Sequence, residues 1–218
     1  MINVAIDGPA GAGKSTVAKA AAKELGYIYV DTGALYRSIA LNAVRNGVID
    51  SEQGIIDMLA ETKVELKHEN GTQAVYLNGE DVSSLIRTPE ISMGASKVSA
   101  IAQVRSFLLD LQRDIAKTNN VIMDGRDIGT VVLPNAECKI FLTATPECRA
   151  KRRYKELIEK GEDVKYEDVP ADVNERDYND SHREIAPLKP SEESVIADTS
   201  ELSLDESVAL IVKIIKEH

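Results

Sequence analysis

The chain opens on a short apolar, β-branched run, residues 2–7, which ends at Asp7 and predicts a buried strand. A glycine-rich turn follows. From about Lys14, Val17, Ala18, Ala21, Ala22 and Leu25 recur at helical spacing until Gly26 stops the helix. Tyr27–Val30 reads as a second short strand. Thr32 is placed to N-cap a helix whose apolar face holds Leu35, Ile39, Ala40, Ala43 and Val44, with Gly47 as terminator. Strand, Gly-rich turn, helix and strand in that order open a doubly wound α/β domain.

The middle of the chain breaks this rhythm. Val64-Glu65-Leu66-Lys67 alternates, Ala74–Leu77 follows, and Asn70-Gly71 and Asn78-Gly79 supply turns, so residues 62–82 predict a small antiparallel meander. Helical spacing occupies about 89–101 and 103–117. Core strands resume at Val121–Asp124 and Lys139–Leu142. Thr145 then caps a helix with Pro146 at its first position, running to about Lys160. Residues 161–172 are charged and turn-rich and predict a mobile loop, and a polar helix carries Glu175 to Arg183. Val195–Ala197 is a last core strand. Ser203-Leu204-Asp205-Glu206 is a capping box for a final helix with Leu204, Val208, Ile211, Val212 and Ile215 on its apolar face. The expected architecture is a five-stranded parallel sheet flanked by helices, with excursions at 32–118 and 150–185.

Composition agrees with a globular chain: 218 residues, 43% hydrophobic and 28% charged. Apolar runs are too short for a membrane helix, and Met1–Ile6 lacks the basic start of a secretory leader. Cys138 and Cys148 form no CxxC pair and read as ordinary thiols of a reducing compartment, so a cytoplasmic protein is expected. The net charge of −10 argues against a nucleic-acid polymer as partner. Small phosphates are compatible with it, because a few positioned arginines can hold them inside an acidic protein.

Gly8-Pro9-Ala10-Gly11-Ala12-Gly13-Lys14-Ser15 matches GxxxxGK[ST] in full and is followed by Thr16. The glycines let the backbone turn tightly and offer N–H groups to phosphate, and the helix starting near Lys14 adds its positive end. Lys14 reaches the β- and γ-phosphates, and the Ser15 hydroxyl suits Mg²⁺. Residues 8–16 are therefore the expected ATP site. No NKxD-type guanine-reading motif accompanies them, which separates the chain from GTPase switches.

Beyond this loop, Asp31-Thr32-Gly33-Ala34-Leu35-Tyr36-Arg37, Asp124-Gly125-Arg126-Asp127-Ile128-Gly129-Thr130 and Arg176–Arg183 with Ala186-Pro187-Leu188 resemble the bacterial cytidylate kinases. The meander fits the same family, and the resemblance covers essentially the whole chain. It implies a P-loop nucleoside-kinase fold that phosphorylates CMP and dCMP with ATP and Mg²⁺. The expected parts are a core of residues 1–31, 119–149 and 186–218, an acceptor lobe at 32–118, and a mobile lid at 150–185. A monomer is expected, with no membrane partner.

Carried onto this chain, the resemblance implies that Arg37, Arg126 and Arg183 hold the acceptor phosphate. Tyr36, Arg176 and Asp180 face the ribose, and Ser96, Arg105 and Asp127 read cytosine, with Thr32 in the same acceptor site. Guanidinium forks suit a dianionic phosphate. Cytosine offers one amino donor beside two acceptors, which a carboxylate, a hydroxyl and an arginine can match. Lys14, Arg126, Arg183 and a lid arginine are the expected catalytic cations. Arg153 is the lid choice and Arg149 the alternative. Asp124 is expected to support Mg²⁺ through water. The rival readings are a P-loop kinase for another small acceptor, such as shikimate, and a nucleotide-binding switch without turnover.

Overall fold

In the computed structural model, which describes residues 1–69, 72–159 and 161–218, the first strand, β1 (Asn3–Asp7), is buried from Val4 onward. It lies at the centre of a five-stranded sheet and is flanked by parallel strands on both sides. The sheet comprises β2 (Ile28–Asp31), β6 (Val121–Gly125), β1, β7 (Cys138–Thr143) and β8 (Val195–Asp198), in that spatial order and all parallel. Both faces are covered, which is why these strands read as continuous apolar runs.

On one face α1 (Lys14–Leu25) and α8 (Leu204–Lys216) pack Val17, Ala18, Ala21, Ala22, Ile211, Val212 and Ile215 against Val4, Ile6, Ile122 and Ile140. On the other, Ala5, Val30, Val121 and Met123 meet Ala116 of α5 (Ala102–Thr118) and the helical turn Ile128–Val132. Both ends of α1 are glycines with left-handed φ, Gly13 at 89° and Gly26 at 71°. The capping box of α8 is present, Ser203 N donating to Glu206 Oε2 at 2.9 Å and Glu206 N to Ser203 Oγ at 3.3 Å. Leu204, expected on its buried face, is 51% exposed as the first residue of the helix.

A second cluster of buried side chains joins α2 (Thr32–Arg45), α4 (Pro89–Ser99), α5 and a three-stranded antiparallel sheet, β3 (Val64–Glu69), β4 (Thr72–Leu77) and β5 (Glu80–Asp81). Asn78 and Gly79 both take positive φ, 50° and 86°, as the tight turn between β4 and β5 requires. The expected Asn70-Gly71 turn lies outside the described residues, as does the Lys160 end of α6 (Pro146–Glu159). Among the described residues, four short helical pieces have no counterpart in the periodicity: α3 (Glu52–Met58), Leu59–Glu61, Leu85–Arg87 and the turn Ile128–Val132.

Two boundaries differ from expectation. The N-cap of α2 is Asp31, whose Oδ1 accepts from Ala34 N at 3.0 Å, while Thr32 is the first helical residue. The expected loop 161–172 ends early, because α7 (Val169–His182) starts at Val169 with Pro170 in its first turn. Val169 and Val173 are buried against Ala150 and Leu157 of α6, with Tyr154 and Tyr166 edge to face at 5.5 Å. Tertiary burial thus extends a helix that composition alone reads as loop. Among the described residues no helix is long and apolar enough to cross a membrane.

One close approach fixes the first turn after β1. Gly8 has φ of 150°, and a Cβ there would lie 2.0 Å from the Leu142 carbonyl oxygen. Gly8→Ala is therefore expected to destabilise the protein by ~2–4 kcal/mol through steric displacement of β7. Gly26→Ala, where nothing lies within 4 Å, should cost only ~1–2 kcal/mol for its left-handed backbone. Denaturant midpoints compare the two, and equal shifts would contradict the clash.

Candidate active site

The carboxyl ends of β1, β2 and β6 open on one side of the sheet, where α1, α2, α4 and α7 converge on a cavity of about 280 Å³. Its wall is made by Gly11–Thr16, Asp31–Gly33, Tyr36, Arg37, Arg87, Ala95, Ser96, Ser99, Asp124–Asp127, Glu156, Arg176, Asp180 and Arg183. Six basic and five acidic residues line it. The cavity is thus cation-rich although the chain carries −10.

The phosphate loop wraps the start of α1. Gly11 and Gly13 take left-handed φ, 72° and 89°, and a Cβ on Gly11 would meet the Arg149 carbonyl oxygen at 2.8 Å. Lys14 is 6% exposed and its Nζ donates to Pro9 O at 2.8 Å. Burial, then the neighbouring Arg126, lowers the Lys14 pKa from its ordinary 10.5 to about 7, against the pull of Asp124 and Asp180. The sign follows directly: between about 7 and 10.5 the unfolded chain holds a proton that the folded chain lacks, so this lysine makes stability rise with pH across that window. An incoming polyphosphate reverses the shift. Binding of a polyphosphate between about pH 7 and 10.5 is therefore expected to take up a proton in part or in full. Calorimetry in buffers of different ionisation enthalpy measures it, and a buffer-independent heat would count against it.

Asp124, at the end of β6, accepts from Ser15 Oγ at 2.7 Å and from Tyr29 Oη at 3.3 Å. Burial and the nearby Asp31 push its carboxyl up to about 6. A serine hydroxyl bonded to an aspartate at the mouth of a phosphate loop is a hard-oxygen pair that fits Mg²⁺. Thr32 lines the cavity, but its hydroxyl is committed to Asp124 O at 2.8 Å and stitches α2 to β6.

Across the cavity the cations meet carboxylates. Arg126 Nε donates to Asp180 Oδ2 at 2.7 Å. Asp127 receives a very short bond from Arg105 Nη2 and a longer one, 3.4 Å, from Arg183 Nη2. Asp31 accepts from Arg37 Nη2 at 2.8 Å and Arg87 Nη1 at 3.1 Å. Each guanidinium has five donors and these bonds use few of them. Arg37 Nε is buried with no hydrogen-bond partner among the described residues. Burial, followed by Arg126 and Arg153, lowers the Arg176 pKa to about 10. Burial alone would raise Asp180, yet Arg126, Arg183 and Arg176 together outweigh it and hold that carboxyl below the usual range. Burial prevails at Asp127, which is raised despite Arg105 and Arg183. Such a cluster of spare, partly desolvated donors favours a multiply charged anion.

Most of the residues picked from the sequence converge here. Lys14, Ser15, Thr16, Thr32, Tyr36, Arg37, Ser96, Asp124, Arg126, Asp127, Arg176, Asp180 and Arg183 all line the cavity. Arg105 stands behind Asp127, its guanidinium carbon 5.6 Å from the Tyr36 ring centroid and its Nη1 on Ser99 O at 3.2 Å. Arg153 lies apart, beside a smaller neighbouring cavity, and pairs with Glu156 at 2.9 Å. Arg149 is occupied by the fold, donating to Ala10 O at 2.9 Å and Ala144 O at 3.0 Å and pairing with Asp177 at 2.5 Å. Asp31, Arg87, Ser99 and Glu156 also line the cavity, outside the expected set. Asp31 stood inside a recognised motif, whereas Arg87, just before Thr88-Pro89, carries no local signal.

A family profile described as cytidylate kinase matches residues 4–217. The cytidylate kinase of Lactobacillus gasseri is 52% identical over 218 residues, covering 100% of this chain and 95% of the relative. That of Caldicellulosiruptor bescii is 50% identical over 214 residues, covering 98% and 95%. Among solved structures, an uncharacterized protein from Eubacterium ventriosum aligns over 100% of both chains with TM-score 0.56 at 14% identity. The shikimate kinase of Bacteroides thetaiotaomicron aligns over 99% of this chain and 98% of its own with TM-score 0.50 at 13% identity. These two likenesses show the fold alone.

Proposed function

The chain belongs to the cytidylate kinase family, and from that premise we propose that it transfers the γ-phosphoryl group of ATP to the phosphate of CMP or dCMP. The observation that carries this reading is the single cavity in which the phosphate loop, Arg37, Arg126, Arg176 and Arg183 face the Asp127–Arg105 pair. Two phosphate-binding sets and one base-sized polar group then share one space.

A phosphate oxygen of the acceptor, already ionised at neutral pH, attacks the γ-phosphorus in line. Its new O–P bond forms as the bond to the β–γ bridging oxygen breaks, and ADP leaves with that electron pair. No general base is needed, which leaves His68, His182 and His218 without a role. Lys14 and the loop N–H groups hold the donor phosphates. Arg37, Arg126 and Arg183 hold the acceptor phosphate, and Tyr36, Arg176 and Asp180 face the sugar. Asp127 accepts from the cytosine amino group, with Ser96 beside it and Arg105 on the acceptor edge. Ser15 and Asp124 would hold Mg²⁺, which would supply charge neutralisation to the polyphosphate. Arg153 reaches the reacting groups only if α6 and α7 move toward the cavity on closure, which would also exclude water. A cytoplasmic monomer is consistent with this role and with the free thiols of Cys138 and Cys148.

ADP formation over a panel of nucleoside monophosphates tests the proposal: CMP and dCMP should be the efficient acceptors, and turnover that ignores the base would overturn it. The sugar contact has its own test. Asp180→Ala should weaken both CMP and dCMP by ~1.5–3 kcal/mol, the scale of one charge-assisted hydrogen bond. Part of that loss comes through Arg126, which loses its 2.7 Å partner. Wild-type kinetics with both nucleotides would return Asp180 to a structural charge.

A further inference from the structure

Asp7 has no part in the chemistry above, yet it is 4% exposed and ends the central strand just before the phosphate loop. Its Oδ1 accepts from Ile128 N and its Oδ2 from Gly129 N, each at 2.8 Å. Those N–H groups belong to the start of the helical turn Ile128–Val132, whose N-cap residue is Asp127. An aspartate at an N-cap ordinarily folds its carboxylate back onto the second or third N–H of its own helix. Asp127 makes no such bond. Its oxygens go instead to Arg105 and Arg183.

The far end of the turn is held from outside as well. Arg113 of α5 donates from Nε to Val132 O and from Nη2 to Val131 O, each at 3.0 Å. An anion therefore sits at the start of this turn and a cation at its end, both supplied by other elements, in the sense the peptide dipoles favour. The segment itself, Ile128-Gly129-Thr130-Val131-Val132, is β-branched and contains a glycine, so little in it favours a helix.

We propose that Asp7 is a positioning residue for acceptor recognition: by capping the 128–132 turn from β1, it releases the Asp127 carboxylate to face the base. The inference rests on the reading of Asp127 as the base-reading group. It also makes the strand that leads into the phosphate loop the reference for the acceptor side, so donor and acceptor loops share one anchor. Asp7→Asn keeps the shape but turns an N–H₂ group toward a backbone N–H, leaving one buried donor unpaired and open to the Asp127 carboxylate.

The test is steady-state kinetics of the full chain with CMP and UMP, for wild type, Asp127→Asn, Asp7→Asn and Arg113→Met, with thermal melts alongside. Asp7→Asn is expected to lower the CMP-to-UMP ratio of kcat/KM by ~10-fold or more through misplacement of Asp127. Arg113→Met, remote from the cavity, should move the ratio the same way by less, and it decides the matter if Asp7→Asn fails to fold. A purely structural Asp7 would lower the melting temperature and leave the ratio alone. If Asp127→Asn collapses the ratio while Asp7→Asn and Arg113→Met keep it, the inference is overturned and the base reading stands. If the wild type itself shows no preference, the base reading fails and takes the inference with it.

Discussion

Lys14→Ala is expected to lower turnover by ~10²–10³-fold or more, the scale seen when one preorganised donor to a developing charge is removed. The transferring group spreads negative charge over its three equatorial oxygens, and catalysis here is positioning plus electrostatics. Lys14 is the buried amine at the centre of the phosphate loop, its Nζ 2.8 Å from Pro9 O and able to exchange that carbonyl for a phosphate. Its removal leaves Pro9 O without that donor but takes away an amine whose charged form burial already disfavours, so the fold should survive. CMP binding should change little, because the acceptor cations lie across the cavity. Measured kcat with a control melt decides it: near-normal turnover in a folded variant would remove Lys14 from its role.

The second large effect concerns base choice. Cytosine and uracil differ at C4, where an amino donor becomes a carbonyl acceptor, and at N3, where an acceptor becomes a donor. A pocket in which Asp127 accepts and Arg105 donates opposes both changes, and buried groups left unpaired or set against like groups cost more than a missing contact. The kcat/KM for CMP is therefore expected to exceed that for UMP by ~10² or more. Arg105→Met should erode CMP far more than UMP and compress the ratio. The structure sharpens this expectation. Arg105 is clamped between Ser99 O, the Tyr36 ring and Asp127, so its loss also frees Asp127, which keeps only the longer contact to Arg183. Breaking such a buried pair costs ~3–5 kcal/mol, so the variant should also melt earlier. Equal efficiency for CMP and UMP in the wild type would reject a base-reading pocket. An unchanged ratio in the variant would acquit Arg105 and leave Asp127 and Ser96 to the same test.

The phosphate loop was legible without coordinates because its chemistry is local: one strand, one turn and one helix contain every group it needs. The alternation of strands and helices was legible for a related reason, since burial on both faces of a parallel sheet forces continuous apolar runs onto the chain. Many of the positions that gather in the cavity could be picked out because separated motifs carried them, whereas Ser96 came only from the family resemblance. What stayed invisible was every arrangement whose partners are far apart in sequence. Asp31, rather than Thr32, caps α2 because the Thr32 hydroxyl is drawn to Asp124 O, 92 residues away. The start of α7 at Val169 depends on apolar contacts with α6 that composition does not show. The turn at 128–132 exists against its own propensities because Asp7 and Arg113 cap it from β1 and α5. Arg149, one candidate for the reacting phosphate, proved to be bound to Ala10 O and Asp177. Local sequence determines which groups a segment offers. Only tertiary structure decides which of them are consumed by the fold and which remain free to face a ligand, because a hydrogen-bonding or charged group satisfied by one partner is unavailable to another.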